Sequence, residues 1–119
     1  MLDDFMDIRI VNFLKNLNLV SDDFFEFIED KIVLTPSVVD ISWFGCHPIL
    51  NGDILVDIRV VVPEILTEKD MLINIHEFAH AIELYNELGS IYEERREERE
   101  KFAKKIETIS LGKINNLKL

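Results

Sequence analysis

Between Pro63 and Gly89 the chain has room for one long helix and for little else. Thr67-Glu68-Lys69-Asp70 offers a capping hydroxyl followed by early acids, the usual opening of a helix, and Gly89 supplies the stop. The spacing therefore predicts a helix over residues 68–88. At about 100° per residue, Met71, Leu72, Ile75, Phe78, Ala79, Ile82 and Tyr85 form a broad apolar arc. Ile73, Ala81, Leu84 and Leu88 make other sectors apolar as well. A helix apolar round most of its girth must be buried, so the rest of the fold has to be arranged about it. One narrow polar stripe remains, formed by His76, His80, Glu83 and Glu87 with Glu77 beside it. That stripe must face either water or a lined cleft.

Within the stripe, His76-Glu77-Phe78-Ala79-His80 reads H-E-x-x-H. Residues four apart lie one turn apart on the same face, so both imidazoles can reach one metal ion. Glu77, offset from the first ligand, is placed to hold a metal-bound water and to act as general base in peptide hydrolysis. A solvated stripe is the plain alternative. Glu83 and Glu87 favour it, because they continue the stripe without a ligand role. Against it, the flanking positions in the first half of the helix are apolar, and a carboxylate there is costly without a cation or hydrogen bonds.

Two histidines leave a catalytic zinc one protein ligand short. His47 is the only other imidazole, beside Cys46 and close to an expected hairpin turn, with Pro48 pointing to a local loop. The other source is the glutamate-rich run after Tyr92. Glu97 with Lys101, and Glu100 with Lys104, have the spacing of surface ion pairs. Glu98 instead precedes Phe102 and Ile106, on the stripe expected to be buried, and has no basic partner four residues on. Glu98 is therefore the expected third ligand, with Glu94 and Glu97 behind it.

The remaining elements are expected as follows. Leu2, Met6, Ile10, Phe13 and Leu17 mark an amphipathic helix over residues 2–17, and Ser21 offers a cap for a short helix carrying Phe24, Phe25, Phe27 and Ile28. Residues 38–44 and 54–62 are rich in β-branched and aromatic types, with Asn51-Gly52 as a hairpin signal between them. In the second strand Ile54, Val56, Ile58, Val60 and Val62 share one face, opposite Asp57 and Arg59. Trp43 and Phe44 are expected to serve the sheet core. Ser90 could cap a last helix over residues 91–111, burying Phe102, Ala103, Ile106 and Ile109. The class expected is α+β, one domain over residues 1–119, with helices packed on a small antiparallel sheet.

Composition narrows the function classes. A net charge of −10 argues against nucleic acid as a direct partner, since phosphate neutralisation needs clustered Lys and Arg. The apolar runs are far short of a membrane span, and Asp3 and Asp4 stand where a signal peptide carries bases. The single cysteine, Cys46, excludes an internal disulfide framework and fits a reducing compartment, so the expected location is cytoplasmic. Adjacent residues in a strand point to opposite faces, which argues against Cys46 and His47 as a nucleophile and base.

An H-E-x-x-H pentad followed, beyond a helix end and a turn, by a glutamate on the next helix resembles the gluzincin class of zinc metallopeptidases. Glu98-Arg99-Glu100-Lys101-Phe102-Ala103 is similar to the third-ligand helix of the ImmA/IrrE group, and the short chain to the minigluzincins. The resemblance spans about residues 53–106. It implies a zincin-like domain with zinc held by His76, His80 and Glu98, and Glu77 as base and acid. It also implies a peptide or protein substrate, bound as an added strand at a sheet edge. Arg99 stands where the ImmA/IrrE pattern has a small residue, and no lower substrate-binding domain follows the glutamate helix. Tyr92 and Tyr85 are the candidates for steadying an oxyanion. The rival expectation is a catalytically idle zincin-like module kept for protein interaction.

Overall fold

The computed structural model describes residues 7–36, 44–91 and 96–111, with the side chains of 96–99, 110 and 111 outside the description. Among these residues the order is α1 (Ile8–Asn16), α2 (Asp22–Ile28), β1 (Ile32–Thr35), β2 (Gly45–Asn51), β3 (Ile54–Pro63), α3 (Glu68–Glu87) and α4 (Arg96–Leu111). The class is α+β. No helix among the described residues is long and apolar enough to cross a membrane.

The sheet is mixed rather than antiparallel. Its order is β1-β3-β2, with β1 parallel to β3 and β2 antiparallel to it. The long connection from β1 to β3 lets β1 enter from the far side of β3 in the same direction, whereas the two-residue link from β2 to β3 permits only an antiparallel pair. That link is Gly52-Asp53, since Asn51 already pairs with Ile54. Only Gly52 has a positive φ, 65°, at the first of two loop positions, as a type II′ turn requires; Asn51 does not share it, contrary to the expected Asn-Gly turn.

Residues 45–51 form the strand where Pro48 had indicated a loop. Proline is tolerated there because β2 is an edge strand among the described residues, where a missing N–H need not break a ladder. Phe44 is buried as expected, and positions 38–43 lie outside the described residues. The even-numbered face expected of β3 is also corrected. Ile49 pairs with Asp57 but Leu50 pairs with Leu55, so Val56 is an extra residue, a β-bulge. Alternation changes phase across it: Leu55 is buried, Ile54 and Val56 are exposed, and Ile58, Val60 and Val62 are buried beyond it. Asp57 Oδ1 accepts a hydrogen bond from the Ile58 N–H at this irregular point.

α3 lies against this sheet. Met71, Ile75, Phe78, Ala79 and Ile82 join Leu55, Ile58, Val60 and Val62 in one core, together with Ile10, Phe13 and Leu14 of α1 and Phe24, Phe25 and Ile28 of α2. Its start is fixed by a capping box: the Asp70 N–H donates to Thr67 Oγ1, and Asp70 Oδ2 accepts from the Leu66 and Thr67 N–H groups. One turn on, the buried Asn74 Nδ2 donates to the carbonyls of Pro63 and Asp70, each at 2.9 Å. This pins the helix to the end of β3 and sets its rotation.

Gly89, with φ 84°, ends α3. Its N–H donates to the Leu55 carbonyl, Leu55 N–H donates to the Ser90 carbonyl, and Ile91 bridges to Ile54. Ser90 and Ile91 are thus spent on the sheet, and the described part of α4 begins at Arg96, not at the expected residue 91. α4 buries Ala103 and Ile106, with Phe102 and Ile109 partly covered.

Candidate metal centre

α4 lies back along α3, over its polar stripe. The stripe is therefore covered rather than wetted: the His76 and His80 side chains are 19% and 14% exposed. Contacts run early-to-late between the helices, His80 with Glu100 and His76 with Glu107, which makes the pair antiparallel.

The helical spacing of the pentad brings the rings together at 4.8 Å between centroids and 77° between planes. Their Nε2 atoms lie 3.2 Å apart. Oε1 of Glu100 completes the group, 3.0 Å from His80 Nε2 and 3.6 Å from His76 Nε2. These three are the group able to hold a metal ion among the described residues. The donor set suits one. Two ligand atoms each about 2.05 Å from a tetrahedral ion stand about 3.3 Å apart, close to the three separations here. Two neutral imidazoles whose Nε2 atoms touch must otherwise share a proton or oppose their lone pairs. Two imidazole nitrogens and one carboxylate are also a donor set of catalytic zinc sites.

Glu100 was expected at the surface with Lys104; its carboxylate goes to the histidines. The side chains of Glu97 and Glu98 and the whole of Glu94 lie outside the described residues. The signal for Glu100 was available in Ala103: a small residue flanked by acids three before and four after marks a face on which a helix can approach closely and present both carboxylates.

Glu77 is partly buried beside this group. Burial raises its carboxyl to about 7, opposed by the charge of His76 and reinforced by those of Glu100 and Glu107. Burial, then the Glu77 charge, pushes the Cys46 thiol well up, so this β2 residue is an inert thiol close enough to Glu77 to feel it. His47 is exposed, one residue along the strand from Cys46, with its ring over Gly45. It does not join the metal group. Tyr85 is also removed from it, packed edge-on to Phe24 at 5.3 Å and tilted on Phe27 at 5.1 Å. Tyr92 lies outside the described residues.

No protein-family profile, curated protein or solved structure gives a significant match to this chain. The likeness to gluzincins therefore stands on these residues alone.

Proposed function

We propose that the chain is a small zinc-dependent metallopeptidase, with His76, His80 and Glu100 as the residues that hold the ion. The observation carrying this reading is the convergence of two Nε2 atoms and one carboxylate oxygen within 3.0–3.6 Å, beside a glutamate poised near neutrality. Zinc bound there supplies a Lewis acid and makes a water acidic near pH 7. Glu77 takes the proton from the attacking water on its carboxylate and returns it to the leaving amine nitrogen. Without a metal, burial raises the Glu77 carboxyl to about 7, and a bound dication would draw it back toward the ionised form that accepts the proton. β2 is an edge strand, and Cys46 on its inner face lies within electrostatic reach of Glu77, so an extended peptide pairing with β2 would run past the site. The substrate class that follows is a peptide or an unfolded protein segment.

Elemental analysis of freshly purified, tag-free protein together with a quenched fluorogenic peptide library tests this. One zinc per chain and cleavage by the wild type are expected. Glu77→Gln is expected to keep zinc and lose at least about 100-fold in activity, the scale of general-base catalysis. His80→Ala is expected to lose both. If Glu77→Gln loses metal as completely as His76→Ala, the role given to Glu77 is wrong. A second reading, a zinc-holding interaction module without catalysis, is favoured by Tyr85, whose place in the aromatic core takes it out of oxyanion support. Stoichiometric zinc without cleavage of any library member would select that reading.

A further inference from the structure

His76 is approached at both ring nitrogens. Nε2 faces His80 and Glu100, while Nδ1 lies 3.4 Å from Oε1 of Glu107. A neutral imidazole carries one N–H and one lone pair, and the partner of one nitrogen decides which the other presents. An ionised carboxylate only accepts, so Glu107 selects the form with its proton on Nδ1. The lone pair then falls on Nε2, the nitrogen turned toward His80 and Glu100.

We propose that Glu107 is a positioning residue for the metal centre: its carboxylate holds the Nδ1–H of His76, fixing the ring and its tautomer so that Nε2 is offered to a divalent cation. A hydrogen bond from an imidazole to a carboxylate also makes the ring a stronger donor. Glu107 reaches the far side of the ring and is not one of the three residues whose ligand atoms converge, which separates its role from that of Glu100.

The fold builds this pairing from spacing. Glu100 and Glu107 are seven residues apart, two turns of α4, and so lie on one face. Ala103, fully buried between them, presents only a methyl group, so the helix backbone can come close enough for both carboxylates to reach α3. The antiparallel run of the helices matches the earlier histidine to the later glutamate. At 30% exposure, the Glu107 side chain keeps some water while its partner ring has little, so its charge is not stranded.

The inference rests on the cation-site part of the proposed function and not on peptide cleavage. Its test is zinc affinity of the full chain, measured by competition with a chromophoric chelator, for the wild type, Glu107→Ala and Glu107→Gln. Glu107→Ala is expected to weaken zinc by about 10–100-fold, the usual effect of removing such a partner. Glu107→Gln, whose amide oxygen can accept the same proton, is expected to recover part of that loss. A nitrogen-15 spectrum of the zinc-loaded wild type should show the His76 proton on Nδ1, exchanging faster with water in Glu107→Ala. Thermal unfolding of the metal-free variants controls for the fold, and Glu107→Gln with the wild-type spectrum decides if Glu107→Ala fails to fold. Wild type that binds zinc while Glu107→Ala binds within twofold of it, or a zinc-loaded His76 protonated on Nε2, overturns the inference alone. Wild type that binds no zinc overturns it together with the cation site.

Discussion

The two helices that make the candidate centre are held in opposite ways. α3 is buried round most of its circumference, capped by Thr67 and Asp70, and pinned to β3 by the two hydrogen bonds of Asn74. Among its described side chains, α4 buries Ala103 and Ile106 and partly covers Phe102 and Ile109, with Lys101, Lys104, Lys105 and Thr108 exposed. The pair of histidines therefore sits on a deeply buried element, and the carboxylates arrive on one with fewer buried apolar side chains among those described. A cation bridging His76, His80 and Glu100 would tie the second helix to the first. Binding and docking of α4 would then be one event, and a metal held there would add to the stability of the fold.

The sharpest way to break this contrast is to truncate matched side chains. Ile75→Ala in α3 is expected to cost about 2–5 kcal/mol, and Ile109→Ala in α4 about 1 kcal/mol, by urea unfolding of metal-free protein. Equal losses would mean that α4 is as firmly held as α3. Next in size, Ala103→Leu should force the helices apart at a cost of about 1–3 kcal/mol, and lower zinc affinity with it. Unchanged zinc binding in that variant would show that the close approach at Ala103 does not deliver the carboxylates. Zinc itself, at a hundredfold excess over its Kd, should add about 2.7 kcal/mol of stability, removed by a chelator. Hydrogen exchange should place the added protection in residues 96–111 more than in 68–87. Protection spread evenly over both helices would erase the distinction.

A further effect concerns pH. In the metal-free protein the Glu77 carboxyl is raised from 4.5 to about 7. Between those values the folded chain keeps a proton that the unfolded chain has released, so the native state binds more protons and stability falls as pH rises. The contribution is fully present below about 4.5 and lost by the time pH passes about 7. Glu77→Gln should flatten this slope in chemical denaturation across the same range. A slope unchanged by the substitution would remove Glu77 as its source.

Much of α3 could be read in advance because its signals are local. Thr67 and Asp70 act within one turn, Gly89 supplies the left-handed stop, and the apolar arc of Ile75, Phe78 and Ile82 repeats over several turns. β3 was readable as a strand but not in its facing, because one inserted residue, Val56, inverts the alternation and nothing in its side chain announces the bulge. The parallel placement of β1 was equally hidden, since strand direction depends on a long connection rather than on the strand. In α4 the periodicity was too even. Glutamates recur at so many offsets that spacing to Lys104 and spacing to His80 could not be ranked without knowing which flank meets α3.

What the residues determined by themselves was the local chemistry: two imidazoles one turn apart with an acid between them, on a helix too apolar to lie at the surface. Backbone geometry alone guarantees that, because side chains at four-residue spacing share a face. Tertiary structure decided which carboxylate meets them. That depends on contacts between residues far apart in the chain, the Leu55–Ser90 hydrogen bond after α3 and the burial of Ala103 between the two glutamates of α4. Only their joint packing sets the rotation of α4 and so brings Glu100 and Glu107 onto the rings.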